Sequence, residues 1–144
     1  MNEVPGTGSI VPEPHWSMLL TDELEIASAA ENWRRIVSEM RDRSILSPSN
    51  GHAIQRLVLS YVIFDRSSRE VAEHGAVLKP KRGNPKAIAR LSPHFSAMRE
   101  AASDAAQMES ELGLSPRRRS TAAKVERKAR SARASDAYIR AVPK

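Results

Sequence analysis

Cysteine is absent from this 144-residue chain, and aromatic residues make up only 4% of it. The first absence excludes disulfides, thiolate catalysis and a cysteine-based zinc site. The second leaves few large side chains for a core, and a thin core of Leu, Ile, Val, Met and Ala usually needs support from neighbouring subunits. We therefore expect one small domain that assembles with copies of itself.

Long hydrophobic runs are also missing. No segment approaches the ~20 apolar residues that a membrane span requires. The first ten residues, MNEVPGTGSI, lack the basic and apolar regions of a signal peptide. The sequence therefore predicts a soluble, intracellular protein with no membrane partner.

Residues with the spacing of a catalytic or metal site are lacking too. The phosphate-binding loop of NTPases ends in Gly-Lys-Ser/Thr, and neither Lys86 nor Lys124 has that context. Glu109 and Glu111 stand two apart on a predicted helix, so their carboxylates point in different directions. The histidines lie on different predicted elements without the i, i+4 pairing of helical zinc ligands. They are His15, His52, His74 and His94. We expect no enzyme activity, no metal and no cofactor.

Positive charge is concentrated at the C-terminal end. Residues 117–144 contain ten Lys/Arg and two acids, a net charge of +8, whereas the other 116 residues sum to −2. Clustered Arg and Lys without interleaved aromatics suit binding to a phosphate backbone through counterion release, rather than base recognition or stacking on single strands. A solvated basic tail is the alternative. The candidate DNA-binding residues here are Arg117, Arg118, Arg119, Lys124, Arg127, Lys128, Arg130 and Arg133.

A second basic patch lies around a predicted turn and contains no acid. Its members are Lys79, Lys81, Arg82, Lys86 and Arg90. Gly-Asn-Pro at 83–85 is strong turn chemistry, since glycine allows positive φ, asparagine tolerates the left-handed region and proline fixes its own φ. Short apolar runs at 76–78 and 87–89 flank the turn, so we predict a β-hairpin at about 76–90. The secondary DNA-binding candidates are Lys79, Lys81, Arg82 and Lys86.

Helical periodicity dominates the first half of the chain. We predict one helix at about 21–43, capped by Thr21 or Asp22, and a second at 48–74, in which Glu70 follows Arg66 at i+4. The link between them is short, so the two helices should pack as an antiparallel pair. The predicted apolar face of the first helix is Ile26, Ala29, Ala30, Trp33, Ile36, Val37 and Met40. That of the second is Ile54, Leu57, Val58, Tyr61, Phe64 and Val71.

A third helix follows the predicted hairpin. Ser92 and Pro93 open it as N-cap and first helical residue, and Gly113 ends it. Its predicted apolar positions are Phe95, Met98, Ala102, Ala105, Met108 and Leu112. Ser115 and Pro116 repeat the start signal at once. Beyond them, a narrow stripe of Ala122, Val125, Ala129 and Ala132 predicts a helix that frays, or that orders only against a partner or DNA.

These elements together predict a mainly α fold: an antiparallel pair of long helices, a short β-hairpin, then further helices. We divide the chain into a flexible lead at 1–15, a helical oligomerisation core at 16–116 that contains the hairpin, and a basic C-terminal helix or tail at 117–144. The long helices should supply the core of the protomer and part of the subunit contact.

The order of these features resembles the small terminase subunit of tailed bacteriophages. In that family a basic Gly-Asn-Pro hairpin precedes a helix ending in Leu-Gly-Leu-Ser/Thr-Pro and arginine. The matching residues are Gly83, Asn84, Pro85, Glu111, Leu112, Gly113, Leu114, Ser115, Pro116, Arg117 and Arg119, with Pro12, Pro14, Glu31, Trp33, Ile36 and Leu46 upstream. The likeness covers roughly residues 12–125. One departure is Ser-Pro-Ser-Asn at 47–50, where family members often open the second helix with an acid.

This resemblance implies a non-enzymatic DNA-packaging factor. It would assemble as a homo-oligomeric ring, bind double-stranded viral DNA, and deliver it to the large terminase subunit, which supplies the ATPase and nuclease. The setting implied is the cytoplasm of an infected bacterial host, and no cofactor is implied. Two alternatives stay open: a basic phage structural or head-completion adaptor, and, less well supported, a helix-turn-helix repressor. The repressor fits poorly because the helix at 48–74 is long and its face is apolar.

Overall fold

The computed structural model describes residues 11–80, 83, 86 and 88–116. These residues form three helices and a two-stranded antiparallel hairpin. In chain order the elements are α1 (Glu23–Asp42), α2 (Gly51–His74), β1 (Val77–Leu78), β2 (Arg90–Leu91) and α3 (Pro93–Glu111). Single 3-10 turns, Trp16–Met18 and Pro48–Asn50, precede α1 and α2. The mainly helical fold with a small hairpin is thus confirmed, and assembly into a ring stays a prediction.

Helix α1 begins where the capping chemistry predicts. Of the two predicted caps, Asp22 takes the role: its backbone is extended and its carboxylate accepts a hydrogen bond from the Leu24 amide at 2.9 Å. The predicted apolar face is buried or half-buried throughout, and Trp33 and Met40 are at most 3% exposed. The periodicity of α1 was therefore sufficient to predict its packed face.

Helix α2 lies antiparallel to both of its helical neighbours. The start of α1 contacts the C-terminal half of α2 through Glu25 and Arg66, and the end of α3 contacts the middle of α2 through Tyr61 and Glu109. The predicted antiparallel pair is confirmed. Phe64, predicted to be buried on α2, is 37% exposed. The buried stripe instead continues at four-residue spacing from Ile54 and Val58 to Val62.

Glu25 is a buried carboxylate that binds two arginines of α2. Arg66 donates from Nε at 2.9 Å and from Nη2 at 2.6 Å, and Arg69 Nη2 lies 3.5 Å away. The predicted i, i+4 partnership of Arg66 with Glu70 is therefore wrong, because the guanidinium meets a better bidentate acceptor on the neighbouring helix. Glu70 pairs with His74 instead. The hydrogen bonds from Arg66 lower the pKa of Glu25, outweighing the opposite effect of burial.

The Glu25 pair should make the fold sensitive to acid. Because the pKa of this carboxyl is lowered in the folded state, its contribution is complete above the unfolded value of 4.5 and is lost as the pH falls through the folded value. We expect Glu25→Gln to destabilise the protein by about 1–2 kcal/mol at neutral pH and to reduce the loss seen below pH 4.5. Thermal melts across this range test it. Glu31→Gln, an exposed change on the same helix, is the control and should match the wild type.

The hairpin is shorter and later than predicted. Val77 pairs with Leu91 and Leu78 with Arg90, so the second strand lies at 90–91 and not at the predicted 87–89. The register of the two strands follows from hydrogen bonds at the end of α2 and before α3. The Gly75 amide donates to the Val71 carbonyl at the end of α2, and the Ser92 amide donates to the Ala76 carbonyl, both at 2.8 Å. Strand pairing therefore begins directly beside these anchors.

Helix α3 starts at the predicted Ser92 cap, whose hydroxyl accepts from the His94 amide at 3.2 Å. Ala102, predicted to be apolar and packed, is exposed, and Ala101 is buried in its place. The buried positions Ala101, Ala105 and Leu112 recur at spacings of four and seven, which keeps them on one face. Small alanines on this face allow α3 to lie close along α2.

A pair of tryptophans closes the N-terminal end of the core. Trp16 and Trp33 are both nearly inaccessible, and their rings meet edge to face with centroids 5.9 Å apart. The Trp16 indole donates to a Glu13 carboxylate oxygen at 3.1 Å, and Val11 is buried beside them in the same core. Val11, which the sequence analysis assigned to the lead at 1–15, thus packs in the core. The role of Trp16 was not predicted.

Candidate nucleic-acid interface

Two of the twelve predicted DNA-binding residues fall within the described structure. Lys79 and Lys86 are both exposed, as a phosphate-binding lysine must be. The other ten lie outside the described residues: Lys81, Arg82, Arg117, Arg118, Arg119, Lys124, Arg127, Lys128, Arg130 and Arg133. What the structure provides is the geometry of the two places from which the basic segments extend, the hairpin and the end of α3.

The hairpin carries cations at the ends of its strands. Lys79 directly follows β1, and Arg90 lies in β2 opposite Leu78, and both are exposed. Gly83 adopts a φ of +106°, a conformation that suits glycine because it has no Cβ. The predicted glycine turn is therefore present between the strands. The two strands that carry Lys79 and Arg90 at their ends lie between α2 and α3 in the chain.

The Leu-Gly-Leu sequence at 112–114 is a helix stop that fixes where the basic segment begins. Gly113 has a φ of +73°, the Leu114 amide donates to the Glu109 carbonyl at 2.8 Å, and the Gly113 amide donates to the Ser110 carbonyl at 3.2 Å. This is the hydrogen-bond pattern of a Schellman motif. Leu112 and Leu114 on either side of the glycine are both buried in the core.

Two contacts from other helices hold this stop in place. Arg43, at the end of α1, donates from Nη1 to the Gly113 carbonyl at 2.8 Å. The Tyr61 hydroxyl of α2 donates to a Glu109 carboxylate oxygen at 2.5 Å. Burial and this hydrogen bond raise the pKa of Tyr61, so its hydroxyl stays a donor at neutral pH. The end of α3 is therefore held in position by contacts from both α1 and α2.

Breaking the Tyr61 contact should loosen the end of α3 without unfolding the protein. Tyr61→Phe removes one half-buried hydrogen bond to a charged acceptor, which contributes about 1–2 kcal/mol. Urea denaturation measures the loss. Glu109→Gln keeps a neutral amide oxygen as acceptor and should cost less, and the double variant should cost less than the two single effects combined, because both changes act on the same bond. Glu111→Gln is the exposed control. Additive effects of Tyr61→Phe and Glu109→Gln would contradict this coupling.

The groups with displaced pKa values are all engaged in structural pairs. The pKa values of Glu25, Arg66 and Tyr61 each move away from neutrality, whereas catalytic groups are typically shifted toward it. Three potential metal-ligand atoms, from Glu70, Glu73 and His74, lie within 4.8 Å of one another at the exposed end of α2. Two of these residues already form an i, i+4 pair at 3.3 Å. No helix of the described part of the chain is long and apolar enough to cross a membrane.

The described residues form a small helical body with exposed cations at a hairpin, and a strongly basic sequence follows the end of α3, which is the combination expected of a binding module. The family model described as phage terminase, small subunit, matches residues 29–129. That match covers more than two thirds of the chain, and the chain belongs to this family. The resemblance noted from the hairpin and the Leu-Gly-Leu motif is thus confirmed, and it supports a role in phage DNA packaging. Neither the curated proteins nor the solved structures contain a match.

Proposed function

We propose that this protein is the DNA-recognition component of a phage packaging machine. It assembles as a homo-oligomeric ring, binds double-stranded viral DNA, and delivers that DNA to the large terminase subunit in the cytoplasm of the infected host. The observation that carries the proposal is the family match over residues 29–129, combined with a net charge of +8 in residues 117–144.

DNA binding is carried chiefly by the basic segment. Its cations have no interleaved aromatic residues other than Tyr138, so they suit phosphates better than bases. The hairpin cations Lys79, Lys81, Arg82 and Lys86 act as secondary contacts. A ring would join these separate patches into one positive surface.

Ring formation is supported by what one protomer leaves exposed. Nine large apolar side chains among the described residues are exposed, and four of them lie on or beside the two short strands of the hairpin. An isolated two-stranded hairpin is marginally stable in water, so packing against a neighbour would stabilise it. Apolar surface of this kind marks sites of association.

The division of labour follows from the chemistry of the chain. The sequence contains no phosphate-binding loop, so ATP hydrolysis and DNA cleavage belong to the large subunit, and this protein acts as a non-catalytic regulator that stimulates it. A structural or head-completion adaptor is the second candidate, favoured by the exposed apolar hairpin, which could contact another capsid protein.

Light scattering and a DNA-retention gel on the same sample separate these candidates. We expect a closed oligomer at micromolar concentration that retards duplex DNA at low salt and releases it as salt increases. An oligomer that fails to retard DNA would favour the adaptor. A monomer, or a dimer that binds one short operator-like sequence, would contradict the proposal.

A further inference from the structure

The exposed apolar side chains of the protomer are segregated into two segments. Among the described residues, seven of the nine lie either before or at the start of α1 or in the hairpin. The first group is Met18, Leu19 and Leu24, exposed by 83%, 47% and 73%. The second is Val77, Leu78, Ile88 and Leu91, exposed by 51%, 45%, 80% and 51%. Only Ile63 and Phe64 fall elsewhere.

The same two segments carry opposite charges. Residues 11–33 contain five Asp/Glu and no Lys or Arg. Residues 76–92 contain five Lys/Arg and no Asp or Glu. Each segment therefore combines exposed apolar side chains with charge of a single sign, and the signs are complementary.

We name these two surfaces by their described residues. The N-terminal surface comprises Met18, Leu19, Asp22, Glu23 and Leu24. Leu24 also lines a cleft of about 440 Å³ between α1 and α2, whose other lining residues are Glu25, Ser28, Val62, Asp65, Ser68 and Arg69. The hairpin surface comprises Val77, Leu78, Ile88, Arg90 and Leu91.

The hairpin surface lies on a two-stranded element with two faces. Val77 and Leu91 are cross-strand partners, so their side chains lie on the same face of the hairpin. Leu78 and Arg90 share the opposite face. Both faces keep exposed apolar side chains. Their apolar residues and Arg90 suit the exposed Met18, Leu19 and Leu24 and the exposed acids Asp22 and Glu23 of the N-terminal surface.

We propose that the hairpin surface of one copy docks on the N-terminal surface of the next copy. The partner is a second copy of this chain because the protomer presents both complementary halves. Two different surfaces that bind each other make a head-to-tail contact, and such a contact closes into a ring when the rotation between copies permits. This inference rests on the proposed function and assigns the surfaces that would build its ring. Lys81 and Arg82 are not part of this proposal and stay assigned to DNA.

Mixing two variants tests the head-to-tail contact. The hairpin variant carries Ile88→Asp and Arg90→Glu, and the N-terminal variant carries Met18→Gln and Leu24→Gln, so the two altered surfaces are not complementary to each other. All four positions are exposed, so both variants should keep the helical circular-dichroism signal of the wild type. Each variant retains one intact surface. Each alone should therefore be a monomer of 15.9 kDa by light scattering, and an equimolar mixture should form a dimer of twice that mass and nothing larger.

The control has the same kinds of substitution outside both surfaces. Ile63→Asp with Arg99→Glu changes one exposed apolar residue of α2 and one exposed cation of α3 and should leave the ring intact. A wild-type ring that persists in either test variant, or a mixture that stays monomeric, would overturn this inference and leave the proposed function standing. A wild-type monomer would overturn both.

Discussion

Truncation after Ser115 should abolish tight DNA binding and leave the oligomer intact. The deleted part carries a net charge of +8, against +5 for the hairpin patch from Lys79 to Arg90, so it should make most of the phosphate contacts. Each neutralised phosphate contributes about 0.9 to the slope of log affinity against log salt on duplex DNA. Losing about four contacts would therefore flatten the slope by about 3.6. Fluorescence anisotropy with labelled duplex, repeated over a range of salt concentrations, measures both affinity and slope.

A hairpin variant provides the comparison for this truncation. Lys79→Ala, Lys81→Ala and Arg82→Ala together should weaken binding less than the truncation does. Light scattering on both proteins checks that the assembly is unchanged. If the hairpin variant lost DNA binding and the truncated protein kept it, the DNA site would lie on the hairpin. The basic segment would then be better explained as an arm that docks on the large subunit or the portal.

Leu57→Asp should prevent folding. Leu57 is fully inaccessible in the middle of α2, so the change removes a buried side chain worth about 1.5–3 kcal/mol and places a carboxylate without a partner in the core. The combined loss should exceed ~4 kcal/mol, which is comparable with the whole stability of a small domain. We expect insoluble protein, or soluble protein without a cooperative thermal transition.

Ile63→Asp is the matched control for Leu57→Asp. It makes the same kind of change on the same helix, at a position that is 43% exposed, and it should change the melting temperature little. A soluble and fully assembled Leu57→Asp protein would mean that this position faces water and that the core described here is wrong.

The ends of the helices could be predicted because local chemistry determines them. Asp22 accepts from an amide of the first turn of α1, Ser92 and Pro93 start α3, and Gly113 adopts the left-handed conformation that ends it. Each of these signals acts within a few residues of the chain. The same holds for the glycine turn at Gly83, although the register of the strands depended on anchors at Gly75 and Ser92.

The predictions that were wrong concern residues whose contacts or burial depend on a part of the chain far away in sequence. Arg66 has Glu70 at a favourable helical spacing, yet it binds Glu25, 41 residues away. Ala101 and Ala102 are adjacent residues of the same type, so only the position of α2 decides which of them is buried. Trp16 lies in a proline-containing segment without helical periodicity, so its burial against Trp33 had no local signal.

Part of the candidate site was visible in the sequence and part was not. The basic hairpin patch was predicted, and the structure confirms that Lys79 and Lys86 are exposed. The excess of acids at 11–33 could also have been predicted, because a count of charged residues in the sequence shows five Asp/Glu and no Lys or Arg there. The exposure of Met18 and Leu24 could not be predicted from the sequence, because apolar residues are more often buried than exposed.

The most direct test of the packaging role is the ATPase rate of the cognate large terminase subunit, measured with DNA and with increasing amounts of this protein. We expect a several-fold rise that saturates as the ring binds, and no turnover when this protein is present alone. The concentration that gives half of the rise in ATPase rate should match the concentration at which the ring retards DNA on a gel or binds the large subunit. No change in rate at concentrations where the ring is assembled and bound to DNA would contradict the account. So would ATP hydrolysis by the purified protein that a substitution in this chain abolishes.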